Sequence, residues 1–271
     1  MNDKNLYNNF RDNGIITIEK LIDVETIKDI KQKLSINFKN IDNVSSMDLH
    51  NSGILKFIFK DKIRYLINLI MPDGILWHCH YLKTPCNQPV PHFNPSTRYG
   101  AWHRDRIQDY NHERIDYLDI MIYLNDVGER DGAFAFLPVR PDRDVDKEKK
   151  SSKIIGSAGL GILSRIDWWH SATPNIGNFD REMIRISFAK NMYHQGIQLS
   201  QDYVNLRNYY KDKDDFLNFI FGGNRAWTKN VKQPIQEEID NIIYDIPPLN
   251  YNFSKSYKNI LKNKIRNLIN F

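Results

Sequence analysis

The chain has 271 residues, of which 41% are hydrophobic and 12% aromatic, and this suffices for the core of one large domain. We attribute the net charge of +5 to a lysine-rich solvated surface and expect no nucleic-acid partner, and no apolar run is long enough to span a membrane. The first residues lack the apolar core of a signal peptide, and Cys79 and Cys86 are too few for a disulfide framework, so we expect a reduced, cytoplasmic protein.

The first part of the chain, about residues 1–72, is predicted to be helical. Apolar residues recur at helical spacing within 15–39, and Asp23 is a suitable cap. A second helix is predicted over 54–71, where it ends before Pro72.

Residues from 75 to about 192 change to short strand patterns. The predicted strands cover 75–82, 101–105, 117–124, 133–137, 161–169 and 183–190. So many short strands after leading helices favour an antiparallel sandwich or barrel. Residues 198–271 return to helix-like patterns, and we find no internal repeat, so we expect a single domain over 1–271.

Candidate metal ligands lie on two of these strands. His103 and Asp105 are separated by one residue, so their side chains point to the same face of a strand. His170, on another strand, can complete a set of two histidines and one carboxylate. Such a facial triad holds iron(II) in non-haem oxygenases and leaves metal positions open for chemistry. A His-x-Asp pair alone is weak support for a metal site, because a chain with eight histidines can contain one such pair by chance.

The segment after His170 strengthens this interpretation. A Pro/Asn/Gly turn follows the histidine, and a new strand begins near Arg181. An arginine entering a strand beside a metal ligand is well placed to bind a carboxylate through two hydrogen bonds.

As an ordered set, these motifs resemble the phytanoyl-CoA dioxygenase family of iron(II)/2-oxoglutarate-dependent oxygenases. The resemblance covers roughly residues 5–195. Its motifs are Phe10 to Ile18, Lys83-Thr-Pro85, Trp102-His103-x-Asp105, Tyr123 to Asp126, Asp131-Gly132, Leu137-Pro138, and His170 with Asn175 and Arg181 five and eleven residues later. The chain departs from the family at Pro138-Val-Arg-Pro141, where many members continue Pro-Gly-Ser-His.

The resemblance implies a mostly β fold with flanking helices around a double-stranded β-helix, or jelly roll. It implies that His103, Asp105 and His170 hold Fe(II), with molecular oxygen and 2-oxoglutarate as co-reactants. Arg181 would bind the distal carboxylate of 2-oxoglutarate, with help from Lys83. The implied activity is that of a dioxygenase hydroxylating a small molecule. Asp105 argues against halogenation and leaves desaturation, ring formation and epimerisation open.

The substrate expectation depends on a second arginine. In a regular strand Arg185 shares a face with Arg181, and a buried arginine needs a negative or strongly polar partner. That partner is either a protein carboxylate or the primary substrate. The second option, with Arg98 adding charge near the metal strand, predicts a polar, anionic small molecule.

Three alternatives stay open at this point. His78-x-His80 also places two histidines on one strand face, but no acid and third histidine follow at cupin-like spacing, so packing or substrate contacts are favoured. Residues 84–100 are either a lid or a surface loop, whereas 140–153 are expected to be a surface loop. The whole chain is either an oxygenase or a non-catalytic jelly-roll binding protein with a degenerate site. The sequence does not indicate the oligomeric state.

Overall fold

Two antiparallel sheets form the centre of the protein. The structure is a computed structural model that describes residues 3–72, 74–87, 102–104, 113–141, 143, 146–189 and 201–222. The larger sheet has the order β1-β7-β4-β9-β3-β2, and the smaller has the order β6-β5-β8. The strands are β1 (Ile15–Ile18), β2 (Asn43–Val44), β3 (Ile75–Thr84), β4 (Tyr117–Tyr123), β5 (Phe134–Phe136), β6 (Ser152–Ile154), β7 (Gly161–Ser164), β8 (His170–Ala172) and β9 (Arg181–Ala189).

Most of the helices lie before β3 or after β9 in the chain, and one lies between β5 and β6. The helices are α1 (Asp3–Asn13), α2 (Val24–Asn37), α3 (Ser46–Asn51), α4 (Leu55–Ile58), α5 (Asp61–Ile70), α6 (Lys147–Lys150), α7 (Gln201–Tyr210) and α8 (Asp215–Ile220). The predicted mostly β fold with flanking helices and a jelly-roll core is confirmed. Within the described ranges, none of these helices is both long and apolar enough to cross a membrane.

The predicted helix over 15–39 is wrong in its first part. Residues Ile15–Ile18 form a strand that pairs with β7, and the helix begins only at Val24. Asp23 caps it as predicted, since its side chain accepts a hydrogen bond from the Thr26 amide at 2.7 Å. The four residues Ile-Ile-Thr-Ile fit a strand as well as a helix, and pairing with β7 decides between them.

Other predicted boundaries also shift. The second predicted helix is divided into α4 and α5, and the predicted strand over 161–169 ends at Ser164. Residues 140–153, expected to be a surface loop, contain α6 and the start of β6. The C-terminal helical prediction holds for α7 and α8, and its remainder from 223 onward lies outside the described residues.

The larger sheet separates two apolar cores. Its outer face packs against the helices through buried residues such as Phe10, Ile30 and Leu49. Its inner face, with Tyr123 and Met183, faces the smaller sheet, and Phe136 and Trp168 are buried between them. Polar residues on this inner face are therefore enclosed by the barrel.

Strand register fixes which residues share the inner face. In β9 these are Arg181, Met183, Arg185 and Ser187, as the sequence predicted. Their partners on β3 are respectively Thr84, Leu82, His80 and His78, and Asp119 of β4 lies opposite Ser187.

Candidate metal and cosubstrate site

Two histidines that are distant in sequence lie directly opposite each other at the edge of the smaller sheet. The His103 amide donates to the His170 carbonyl at 3.1 Å, and the His170 amide donates back to the His103 carbonyl at 3.0 Å. This antiparallel bridge places the two side chains on one face, with ring centroids 4.4 Å apart. The structure therefore brings together two of the three predicted ligands.

The imidazole of His170 is held in the orientation expected of a ligand. Its Nδ1 lies 3.0 Å from the Trp168 carbonyl oxygen. Because a carbonyl can only accept, Nδ1 carries a proton, and in the neutral ring Nε2 is the nitrogen left to bind a metal. Metal-bound histidines usually donate their second ring nitrogen to such a backbone carbonyl. His170 is also 6% exposed, so a metal there would be largely shielded from water.

The third predicted ligand cannot be placed beside this pair. Asp105 lies outside the described residues, and so does Arg98, a predicted substrate contact. Across the parts of the chain that are described, no group of three or more His, Cys, Asp or Glu residues is placed to hold a metal ion. The triad of His103, Asp105 and His170 stays a prediction.

Arg181 is a buried cation without a protein carboxylate among the described residues. It is 6% exposed, and its two terminal nitrogens donate to the Gly132 carbonyl and, at 2.7 Å, to Thr84 Oγ1. Its Nε is buried and has no hydrogen-bond partner in the described ranges. Burial lowers the pKa of Arg181, because the charged form loses solvation there. An uncompensated buried charge is costly, so this environment favours a bound anion.

Several neighbours hold Arg181 in place, and sequence reasoning assigned none of them this role. Thr84 lies directly across the sheet from it. Asn175 Nδ2 donates to the Thr84 and Phe179 carbonyls, both at 2.9 Å, and so ties the turn before β9 to the end of β3. Gly132 has a φ of +72°, and an added Cβ would lie 3.1 Å from the Asn175 Cβ. Strand alternation applied to β3 is the signal that would have identified Thr84.

Lys83 does not join this site, and we withdraw it from the cosubstrate contacts. Adjacent strand residues point to opposite faces, and Lys83 pairs across the sheet with Glu182 rather than Arg181. Its Nζ lies 3.0 Å from Asp42 Oδ1 and 3.9 Å from Asp180 Oδ2. The hydrogen bond to Asp42 raises the pKa of Lys83, as expected for a cation already paired on the outer face.

Arg185 has a protein partner. Its Nε lies 2.5 Å from Asp119 Oδ2, so the protein-carboxylate alternative describes this arginine. His80 lies opposite Arg185, and its ring stacks on His78 with centroids 5.3 Å apart. Burial, followed by the charge of Arg185, lowers the pKa of His80 to about 3, which keeps this ring neutral.

No protein-family model matches the chain, and neither does any curated protein sequence. Solved structures do match. HygX from Streptomyces hygroscopicus, with nickel and 2-oxoglutarate bound, has a TM-score of 0.53 and 12% identity over 70% of this chain and 86% of its own. SnoN, a non-haem α-ketoglutarate-dependent epimerase from nogalamycin biosynthesis, has a TM-score of 0.53 and 14% identity over 69% and 82%. AviO1 from Streptomyces viridochromogenes has a TM-score of 0.53 and 15% identity over 69% and 95%.

At such low identity these similarities show the fold alone. The chain shares its jelly-roll fold with enzymes whose structures hold iron or nickel and 2-oxoglutarate. Membership of the phytanoyl-CoA dioxygenase family stays a prediction.

Proposed function

We propose that the protein is an iron(II)- and 2-oxoglutarate-dependent oxygenase that acts on a polar small molecule. The observation that carries the proposal is Arg181, buried on the inner face with no protein carboxylate among the described residues. The mutual orientation of His103 and His170 supports it. So does the fold shared with HygX and SnoN, which bind or depend on 2-oxoglutarate.

His103, Asp105 and His170 would hold the iron. The donor chemistry fits, because His170 presents Nε2 and already donates through Nδ1. When bound, iron(II) with molecular oxygen supplies oxidation of the substrate coupled to conversion of 2-oxoglutarate into succinate and carbon dioxide.

The chain's own residues bind and orient the cosubstrate. Arg181 would pair with the distal carboxylate of 2-oxoglutarate, while Thr84 and the Gly132 carbonyl fix the guanidinium plane. Tyr123 is fully buried on the same inner face, and its hydroxyl donates to the Ile154 carbonyl at 2.9 Å and accepts from the Phe134 amide at 3.0 Å. Arg181 is buried, so water would screen an ion pair formed there only weakly.

Hydroxylation is the outcome we propose. SnoN is an epimerase, so enzymes with this fold also carry out other reactions.

The test is coupled turnover. Protein loaded anaerobically with iron(II) and 2-oxoglutarate is exposed to oxygen with a pool of metabolites, and succinate and oxidised products are measured by mass spectrometry. We expect succinate formation that requires both iron and oxygen and increases with the metabolite pool. Absence of iron-dependent succinate in a folded, metal-loaded sample would favour the non-catalytic binding protein instead.

A further inference from the structure

The residues beside the two histidines form a second cross-strand pair. His103 and His170 lie opposite each other in an antiparallel bridge. The residue after the first and the residue before the second therefore also face each other, and these are Arg104 and Trp169. Neighbouring residues of an extended chain point to opposite sides, so this pair lies behind the histidines, on the side away from the predicted metal.

The ring of Trp169 has a cation from each of two other segments over it. The Arg104 guanidinium carbon lies 5.4 Å from the ring centroid, and the Lys147 ammonium nitrogen lies 4.4 Å from it. Both distances are within the range of cation–π attraction, which is strongest for tryptophan. Arg104 follows His103 directly, and Lys147 begins α6. We call Arg104, Trp169 and Lys147 the tryptophan clamp.

The backbone on either side of the Trp169 ring is also fixed. The Trp169 carbonyl accepts a hydrogen bond from the Leu137 amide at 3.1 Å, which extends the pairing of β5 with β8 by one residue. The preceding carbonyl, of Trp168, lies 3.0 Å from His170 Nδ1. Trp169 thus belongs to the segment that orients His170, and its ring reaches the segment that carries His103.

His103 is the histidine that needs such support. It lies at an isolated bridge outside the named strands, whereas His170 begins β8. It is also exposed, whereas His170 is buried. The bridge itself consists of two backbone hydrogen bonds, at 3.1 and 3.0 Å. Side-chain pairs beside such bonds are a main source of stability in paired strands, so the Arg104–Trp169 pair should keep this bridge closed.

We infer that Trp169 is a positioning residue of the proposed metal site. Its ring, held between Arg104 and Lys147, keeps the His103 segment against the His170 segment, so that both imidazoles are oriented before a metal binds. This inference rests on the proposed function. Trp169 acts through the backbone of the two histidines, from the opposite side. Lys147 makes α6 part of the support of the site.

The first test measures the bridge without any metal. The His103 and His170 amides both donate within the bridge, so their hydrogen exchange reports how often it opens. Exchange is followed by NMR in the metal-free full chain labelled with ¹⁵N only at histidine. The samples are the parent, Trp169→Phe, Trp169→Leu and Lys147→Met. His50, on α3, is the internal reference.

Trp169→Leu keeps apolar bulk but removes the aromatic face, whereas Trp169→Phe keeps an aromatic face. We expect the two bridge amides to exchange at least about tenfold faster in Trp169→Leu than in the parent, and within about threefold of the parent in Trp169→Phe. Lys147→Met, which removes one of the two cations, should give an intermediate rate. The His50 amide should exchange at the parent rate in all four proteins.

The second test measures metal binding. Cobalt(II), which absorbs visible light when bound by histidines, is titrated into the same four proteins. We expect Trp169→Leu to bind cobalt(II) at least about tenfold more weakly than the parent and with an altered absorption band, and Trp169→Phe to restore both. Failure of the parent to bind cobalt(II) would contradict the proposed function, and the exchange rates, measured without metal, would still decide on the clamp.

Three results would overturn the inference. One is equal exchange of the bridge amides in the parent and Trp169→Leu. Another is faster exchange in Trp169→Leu that includes the His50 amide to the same degree, because the protein as a whole would then be less stable. The third is a Trp169→Phe protein that behaves like Trp169→Leu, because the cations on an aromatic face would then not hold the bridge.

Discussion

Arg181 is the residue on which cosubstrate binding should depend most. A charge-assisted hydrogen bond contributes about 1.5–3 kcal/mol, and about 1.4 kcal/mol corresponds to tenfold in affinity. Arg181→Gln should therefore weaken 2-oxoglutarate binding by roughly ten- to a hundredfold, measured by anaerobic calorimetry with iron(II) present. Arg130→Gln is the matched control, because Arg130 is an exposed arginine whose side chain donates to the Ile176 carbonyl at 3.2 Å. Equal affinity in the Arg181 variant and the control would show that another cation binds the cosubstrate.

His170 is the ligand whose removal should be most specific. His170→Ala removes the nitrogen predicted to bind iron, while the backbone bridge to His103 remains. We therefore expect a folded protein with less bound iron and no iron-dependent succinate. Metal analysis after desalting measures the first effect and mass spectrometry the second. Asp105→Ala should behave likewise.

The histidine control is His50→Ala. His50 lies on α3, where its Nδ1 is 2.8 Å from the Tyr210 hydroxyl, and it should leave iron content unchanged. Retention of full iron and turnover by His170→Ala would exclude His170 as a ligand.

The turn between α1 and β1 packs against Trp168, the residue that orients the predicted metal ligand His170. Gly14 has a φ of +69°, and a Cβ added there would lie 2.4 Å from Trp168 Cδ2. Trp168 in turn supplies the carbonyl that orients His170. Trp168 thus links the two, because its indole packs on the N-terminal turn and its carbonyl orients His170.

We expect Gly14→Ala to lower both thermal stability and iron affinity. Gly53→Ala is a close control, because Gly53 has a φ of +71° but its nearest atoms are 3.8 Å or more from an added Cβ. Both variants carry backbone strain, whereas only Gly14→Ala adds overpacking, so it should lose about 1–3 kcal/mol more in free energy of unfolding. Urea titrations and iron binding measure the two effects. Equal losses of unfolding free energy in both variants would show that Trp168 moves aside without destabilising the protein.

The ion pair between Asp214, at the start of α8, and Arg64 of α5 should make the stability of the protein depend on pH. Asp214 caps this helix and receives hydrogen bonds from Arg64 Nη1 at 3.0 Å and Nη2 at 2.5 Å. Burial acts to raise the pKa of Asp214, but the bonds from Arg64 and the Leu217 amide hold it below its usual value. A depressed carboxyl pKa gives stability that is present above the unfolded value and is lost as pH falls through the folded value.

Asp214→Asn should therefore cost about 1–3 kcal/mol of unfolding free energy at neutral pH. The difference from the parent should shrink in acid, because the parent loses the same contribution there. Urea titrations across pH measure this, with Asp212→Asn as an exposed control on the preceding turn. A difference that stays constant down to pH values below the usual carboxyl range would contradict the assigned role of the charge.

Across the whole molecule, strand alternation predicted which residues of a strand share a face. It placed Arg181 and Arg185 on one face correctly, because β9 is regular over its whole length. Applied to β3, it also places Lys83 outside the barrel, against the cosubstrate role that the family resemblance implies.

Long-range pairing explains what the sequence could not provide. Nothing local in Ile15–Ile18 reveals that β7 will pair with it, so a helix was extended over a strand. Arg185 pairs with Asp119 because β4 is the neighbour of β9 in the sheet. The local sequence of either strand does not reveal this strand order. Asp119 was therefore not identified from the sequence as the partner of Arg185.

The central claim is that the histidine pair and Arg181 bind the two ends of one 2-oxoglutarate molecule. The most direct measurement is anaerobic titration of the parent with 2-oxoglutarate in the presence and absence of iron(II). Because the metal would hold the keto-acid end and Arg181 the distal carboxylate, we predict stoichiometric binding that iron(II) tightens by at least about tenfold. An affinity for 2-oxoglutarate that is the same with and without iron(II), or no saturable binding at all, would contradict the account.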